Sequence, residues 1–254
     1  MGRALVRSLS SAYAQGATRA FYEPGSPIDA ALAQRQHDAV VDGLVALGDE
    51  VHRLPSPPDL PDAVFVEDTA VVWGTDALLT RSAHPGRRGE ARAVGEALEA
   101  LGLRVTPMTS GTLDGGDVLR VGRRLFVGRS SRTDDEGIEA LRRCFVGAEV
   151  VVVPLTDAAL HLKCVASTPG DEATVVLAEG TIDPSVFAGC RVVTVPAAEA
   201  YAANVVGDGR RVLVAEGFPR TAERLVAAGF EPLPVDVSEL RKGDGSLTCL
   251  SLRF

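Results

Sequence analysis

Two β-rich runs, an amphipathic helix and a further strand recur in the same order along this chain, at intervals of roughly 40 to 50 residues, the range in which propellers and arrays of small units occur. The first copy begins at Val64 with VFVEDTAVVW, turns at Gly74-Thr75-Asp76 and returns as ALLTR. A helix follows, with Ala91, Val94, Leu98 and Leu101 at helical spacing; Gly102 stops it, and LRVTPM is the next strand. The second copy is the hairpin LDGGDVLRVGRRLFVG, the helix DEGIEALRRCFVG and the strand EVVVVPL. The third runs from HLKCVAS through Pro169-Gly170-Asp171 to ATVVLAE, a short helix near Asp183–Ala188, and RVVTVP. The fourth is ANVVGDGRRVLVAEGF, a helix over Thr221–Ala228 and FEPLPVDV. LTCLSLRF then ends the chain with no returning partner, and its missing parts stand at the other end as RALVRSL, a helix over Pro27–Leu47 and EVHRLP.

The expected fold is therefore α/β, a five-unit ββαβ propeller closed by pairing of the N- and C-terminal strands, which leaves no exposed sheet edge. Helices lie outside and a funnel opens at the centre. A doubly wound sheet is the alternative that strand–helix alternation alone suggests. The hairpins count against it, as does the Gly-rich GTLDGG stretch, which lies inside a hairpin and lacks the strand-to-helix context of a phosphate loop. At 254 residues the chain is expected to be a single catalytic domain over 1–254.

Composition narrows the partners. Lys and Arg total 26 against 34 Asp and Glu, a net charge of −8, which disfavours nucleic acid and anionic membranes. No apolar run approaches the roughly 18 residues of a membrane helix, no secretory signal is recognisable, and Val6 stands where a myristoylation motif needs Ser or Thr. Cysteines 144, 164, 190 and 249 form no CxxC pair and no disulfide framework. A cytoplasmic protein, monomer or homodimer, is expected. Lys163 and Lys242 are the only lysines, a bias read as ancestry rather than chemistry.

The unusual residues stand in the first strands of the hairpins: Glu67 and Asp68, Asp114 and Asp117, His161, Asn204 and Cys249. Carboxylates amid β-branched residues are disfavoured by propensity and costly if buried unpaired, so a polar residue at this place in every unit points to one central cleft. Strand alternation would put Leu247, Cys249 and Ser251 on one face. Taken alone, Cys249 reads as a small buried residue and His161 as a structural histidine. His37, His52 and His84 lie on the outer helix, the strand after it and the loop HPGRRGE, with no polar constellation, and H-x-x-C at 161–164 is a poor zinc signature, so no metal site is expected. Together, a Cys, a His and several carboxylates suit a planar cation with several donors, a guanidinium. The thiolate would attack its central carbon and the histidine would protonate the departing nitrogen. An acidic pocket raises the thiol pKa, so the cationic substrate or the protonated His must help form the thiolate.

The segments PDAVFVEDTAVV, LLTR…GRRGE, TLDGGDVL, LFVGRSSRT, LHLKC and GDGSLTCLS carry a more specific signal. In order and spacing, over nearly its whole length, the chain resembles the dimethylarginine dimethylaminohydrolase family of the guanidino-group-modifying superfamily. The resemblance implies the five-unit αβ propeller of the pentein type, no cofactor and a small-molecule substrate, Nω-methylated arginine, converted to citrulline and a methylamine. It implies that Cys249 is the nucleophile, His161 the general acid and base, and Asp114 the group that orients the imidazole. Glu67 and Asp68 match the positions that hold the guanidinium, and Asp62 one that helps bind the substrate. Arg87 and Arg132 match the pair that grips the α-carboxylate, Leu9 and Gly243 match positions whose backbone carbonyls contact the ligand, and Asp244 adjoins the guanidinium region. Two departures stand out. Gly243 occupies a place where the family carries a β-branched residue, which would loosen the loop before Cys249, and residues 10–27 read as a mobile lid over the site. A deiminase or hydrolase for free arginine or another guanidino compound would use the same machinery. A non-catalytic propeller that binds arginine or a macromolecular partner is the alternative outside enzymes, and Cys249, His161 and the carboxylates weigh against it.

Overall fold

The structure is a computed structural model that describes residues 2–16, 23, 25–155 and 159–254. In chain order its regular elements are β1 (Arg3–Arg7), α1 (Ala30–Ala46), β2 (Glu50–Leu54), β3 (Ala70–Trp73), β4 (Asp76–Leu79), α2 (Ala91–Ala100) and β5 (Arg104–Pro107). There follow β6 (Val118–Val121), β7 (Arg124–Arg129), α3 (Asp135–Cys144), β8 (Glu149–Pro154), β9 (Ala166–Ser167), β10 (Thr174–Ala178) and β11 (Arg191–Val195). The last are β12 (Val206–Gly207), β13 (Arg211–Ala215), α4 (Pro219–Ala227), β14 (Glu231–Val235), α5 (Ser238–Lys242) and β15 (Ser251–Arg253).

Among the described residues these strands form five three-stranded sheets. Four are consecutive in the chain, β3-β4-β5, β6-β7-β8, β9-β10-β11 and β12-β13-β14, and in each the middle strand runs antiparallel to the first and parallel to the third. The hairpin supplies the antiparallel pair, and the parallel pair needs a crossover, by way of α2, α3 and α4 in three of the sheets and the short Pro184–Phe187 turn in the other. The fifth sheet is assembled from both ends of the chain, as the repeat implies: β15 pairs antiparallel with β1, and β1 parallel with β2 after the crossover of α1. No helix among the described residues is long and apolar enough to cross a membrane.

The longer helices bury an apolar stripe on the strands, α2 on β3, β4 and β5 and α3 on β4 of the neighbouring sheet. On α1, capped by the Asp29 carboxylate on the Leu32 N–H, the buried stripe is Ala33, His37, Val40, Val41 and Leu44. His37 is therefore not a bystander on an outer surface; it is wholly buried. Burial, with help from Arg53, holds its pKa down to about 4, against the ordinary value near 6.5. Between those values the folded protein binds fewer protons than the unfolded chain, so the stability this neutral imidazole contributes is present above pH ~6.5 and is lost as pH falls toward ~4. Relative to a His37→Leu variant, wild type should lose about 3 kcal/mol of unfolding free energy between pH 7 and pH 4. Urea melts at both pH values measure this, and a wild-type-to-variant difference independent of pH would contradict it.

One expectation about the elements is corrected. The polar residues assigned to the first strands lie just before them, in or beside short 3₁₀ turns: Val66–Thr69, Gly115–Asp117, Leu162–Cys164, Ala197–Ala203 and Thr248–Leu250. A strand sends neighbouring side chains to opposite faces, whereas a tight turn lets the consecutive Glu67 and Asp68 both be buried, at 7% and 5% exposure. The alternation expected around Cys249 is absent for the same reason: Leu247, Thr248, Cys249, Leu250 and Ser251 are all buried. The turn at 66–69 packs on those at 115–117 and 248–250, and the turn at 115–117 packs on that at 162–164. Of the expected lid, residues 17–22 and 24 lie outside the described residues; its opening stretch is fixed by Tyr13, buried, with its hydroxyl donating to the Leu240 carbonyl at 3.1 Å and its ring edge-on to Phe65.

Candidate active site

Where the turns meet, backbone must come very close to side chains, and the two glycines of LDGG allow it. A Cβ on Gly115 would collide with the Glu67 carbonyl, and one on Gly116 would stand 2.8 Å from both Asp68 Oδ1 and His161 Nδ1. The Gly116 N–H donates to Asp68 Oδ1 at 3.1 Å. The glycine pair is thus a packing device at the centre of the cluster.

His161 precedes its turn with extended backbone and is 4% exposed. Its Nε2 lies 3.2 Å from Asp114 Oδ2, and its Nδ1 lies 4.0 Å from Asp68 Oδ1. Burial by itself would lower the imidazole pKa, but Asp68, the Asp114 bond, Cys164 and Asp117 outweigh it and hold the value well above the ordinary one. The ring therefore carries its proton at neutral pH. Asp117, wholly buried, accepts from Ser130 Oγ at 2.6 Å, from Thr133 Oγ1 at 2.7 Å and from the Leu162 N–H at 2.9 Å, which fixes the turn that follows the histidine. Burial raises the Asp117 pKa despite these bonds.

Cys249 is 8% exposed, with Ser246 Oγ 3.4 Å from its sulfur. Burial, then the charges of Glu67 and Asp68, push the thiol pKa up to about 12. At neutral pH it is a neutral thiol. Asp68 is kept ionised: burial opposes its charge, but His161, Arg87 and the Gly116 N–H more than compensate and hold it below the usual carboxylate range. Glu67 goes the other way, raised by burial although Lys163 and Thr248 both pull it down.

The two arginines that sequence reasoning treats as a pair differ here. Arg87 is 4% exposed and uses Nε and Nη2 on Glu90 and Nη1 on Asp68 at 3.0 Å. Its partner Glu90 is pushed up to about 7 by burial, with Asp62 and Asp68 adding to the rise against Arg87. The buried Arg132 Nη1 lies 3.7 Å from Asp114 Oδ2 and has no hydrogen-bond partner among the described residues. Asp114 Oδ1 is likewise buried without a partner among the described residues. Asp68, Asp114 and His161 bring ligand atoms within 4.8 Å of one another, a spacing that could hold a cation; the Oδ2 atoms of Asp68 and Asp114 already face Arg87 and Arg132.

Asp62 is buried beneath Gly16, where a Cβ would strike its carboxylate. Leu9 packs on the apolar cluster that holds Tyr13, Phe65 and Cys249. Asp244 is buried with φ +60°, a left-handed conformation that a non-glycine residue holds only when its surroundings impose it. At Gly243, Tyr13 Oη occupies the space a Cβ would need, so the tyrosine fills the place of the missing side chain.

Sequence reasoning missed Lys163, Glu90 and Thr248, and gave Asn204 no role. Lys163 Nζ bonds Glu67 Oε1 at 2.6 Å, and Thr248 Oγ1 bonds Glu67 Oε2 at 2.7 Å. The available signal was the rarity of lysine: Lys163, one of only two, stands two residues after the unusual histidine.

Residues 17–186 match the family model described as N,N dimethylarginine dimethylhydrolase, eukaryotic. The chain is 41% identical over 255 aligned positions to the N(G),N(G)-dimethylarginine dimethylaminohydrolase of Streptomyces coelicolor, covering 99% of this chain and 96% of that one. It superposes with TM-score 0.90 and 30% identity on a dimethylarginine dimethylaminohydrolase in which a histidine-to-glycine variant forms an adduct with S-methyl-L-thiocitrulline, covering all of both chains. The same TM-score and identity hold for a cysteine-to-serine mutant of the Pseudomonas aeruginosa enzyme complexed with citrulline, covering 99% of this chain and 98% of that one.

Proposed function

The chain belongs to the dimethylarginine dimethylaminohydrolase family, and from that membership and the geometry of the cluster we propose that it hydrolyses Nω-methylated arginine to citrulline and a methylamine through a covalent intermediate on Cys249. The observation that carries this reading is the meeting, among turns from different units, of a buried thiol, a charged imidazole bonded to Asp114, and the carboxylates of Glu67 and Asp68.

The free thiol holds its proton because its surroundings are buried and negative. Binding a guanidinium beside the sulfur supplies the missing positive charge, and since His161 already carries a proton, the thiol's proton leaves to solvent. The thiolate attacks the guanidinium carbon and forms a C–S bond. His161 donates its proton to the methylamine nitrogen as the C–N bond breaks, leaving an S-alkylthiouronium. The imidazole, now neutral and still held by Asp114, takes a proton from water; the hydroxide adds to the same carbon, and collapse breaks the C–S bond, the hydroxyl proton passing to the departing sulfur, so that the Cys249 thiol is regenerated and the ureido group of citrulline is formed. No cofactor enters, because the substrate's own charge polarises the carbon.

Glu67, Asp68 and Asp62 are assigned to the cationic part of the substrate, Glu67 being also bonded to Thr248 of the nucleophile turn; Leu9, Gly243 and Asp244 are assigned to the same region. Arg132, whose one ion pair among the described residues is the long 3.7 Å contact with Asp114, is the stronger candidate for the α-carboxylate, whereas Arg87 would have to share donors that Asp68 and Glu90 already hold. Arg132→Ala should therefore weaken methylarginine by about 2–5 kcal/mol while leaving methylguanidine nearly unaffected. Arg87→Ala should act mainly on folding, since it strips a buried cation from two carboxylates, at a cost of about 3–5 kcal/mol. Competition assays with both guanidines and urea melts separate the roles; equal losses for methylarginine and methylguanidine in Arg132→Ala would remove the carboxylate assignment.

The five sheets are read as the blades of one closed pentein-type propeller, a single catalytic domain spanning 1–254, with residues 10–27 as its lid. A cytoplasmic monomer or homodimer fits the acidic composition and the four free thiols. The decisive assay supplies dimethylarginine, monomethylarginine and free arginine to the purified protein and measures citrulline and released amine. The methylated substrates should be favoured; faster release of ammonia from free arginine would replace this reading with that of a deiminase.

A further inference from the structure

Asn204 takes no part in the steps above, yet it is 1% exposed and every hydrogen-bonding group of its amide is engaged. Its Oδ1 accepts from the backbone N–H of Thr248 at 2.9 Å, and its Nδ2 donates to the Lys163 carbonyl at 2.8 Å and to Thr248 Oγ1 at 3.0 Å. Thr248 Oγ1 in turn donates a hydrogen bond to Glu67 Oε2, and Lys163 Nζ closes the circuit on Glu67 Oε1. Thr248 is the residue before Cys249, and Lys163 is two residues past His161. One amide therefore ties the turn that carries the thiol to the turn that follows the imidazole.

We propose that Asn204 is a positioning residue for the reaction: its amide fixes the Cys249 turn against the His161 turn, and so sets where the sulfur stands relative to the acid that must serve the same carbon. The proposal rests on the nucleophile and acid assigned under Proposed function. The chemistry of the position explains the residue type. The site needs two donors and one acceptor in a plane, which a short primary amide supplies. An aspartate of the same shape keeps the acceptor for the Thr248 N–H, loses both donors and brings a second negative charge toward Glu67. An alanine leaves the Lys163 carbonyl and the Thr248 N–H with no partner in a buried place. Either change frees the two turns to shift, and a misplacement of about 1 Å in reacting groups costs on the order of 10²-fold in rate.

The test compares wild type, Asn204→Ala, Asn204→Asp and, in parallel, Cys249→Ser, with kcat expressed per folded molecule. Both Asn204 variants should lose roughly 10²-fold in kcat with KM within about threefold of wild type, because the substrate's binding groups are untouched while the reacting ones are misaligned. Asn204→Asp, isosteric, serves where the alanine variant does not fold. A merely structural asparagine would lower the melting temperature and leave kcat per folded molecule within threefold, and that result overturns the proposal. Turnover retained by Cys249→Ser would instead overturn the nucleophile assignment beneath it, so the two failures are told apart.

Discussion

Replacing Cys249 by serine should reduce turnover of methylated arginine by roughly 10⁴- to 10⁶-fold, the scale on which removal of a covalent nucleophile acts. The surroundings explain why the oxygen cannot substitute. Burial, with the charges of Glu67 and Asp68, already pushes the sulfur's pKa up to about 12, and a hydroxyl in the same place begins from a far weaker acidity. His161 cannot serve as its base, because the charges of Asp68 and Asp114 keep the imidazole protonated. Affinity for methylarginine should change by less than about threefold, since Ser and Cys differ little in shape and the carboxylates and Arg132 are untouched. The complementary variant His161→Gly should accumulate a mass increase on Cys249 with an S-alkylthiocitrulline, whose thiolate leaves without needing the proton of His161, while hydrolysis of the adduct lacks its base. Ureido-product formation by Cys249→Ser within tenfold of wild type would remove Cys249 from the mechanism.

Much of this was legible from residue order. The ββαβ repeat is visible because hairpin and helix leave different periods in the sequence, and the orphan strand LTCLSLRF requires a partner at the other terminus; β15 on β1 is that partner. The functional residues were legible as chemistry out of place, carboxylates and a histidine beside β-branched runs. Their local conformation was not, because a three-residue 3₁₀ turn has no periodicity long enough to read, and Glu67 with Asp68 looks like strand until both are found buried. The partition of the arginines was hidden for a different reason. Arg87 and Arg132 are chemically identical in sequence, and only the fold brings Glu90 and Asp68 into hydrogen-bond distance of one of them while the other has only the long 3.7 Å contact with Asp114 among the described residues. Tyr13 beside Gly243 is a third case: a side chain from the start of the chain fills a space left empty 230 positions later, a pairing no local pattern records.

The central claim is that the nucleophile rests as a thiol and that the substrate's own charge makes it a thiolate. A guanidinium about 4 Å from the sulfur at an effective dielectric of about 20 is worth about 4 kcal/mol, or about three pKa units. The direct measurement is the alkylation rate of Cys249 against pH, read by mass on the peptide that contains it so that Cys144, Cys164 and Cys190 do not contribute. In the free protein the rate should climb with pH without levelling below about pH 10, in keeping with a thiol raised to about 12. With an inert guanidinium analogue bound, the inflection should move down by about three units. An inflection near pH 6 to 7 in the free protein, unchanged by the analogue, would mean a thiolate–imidazolium pair formed before substrate arrives, and would contradict the account.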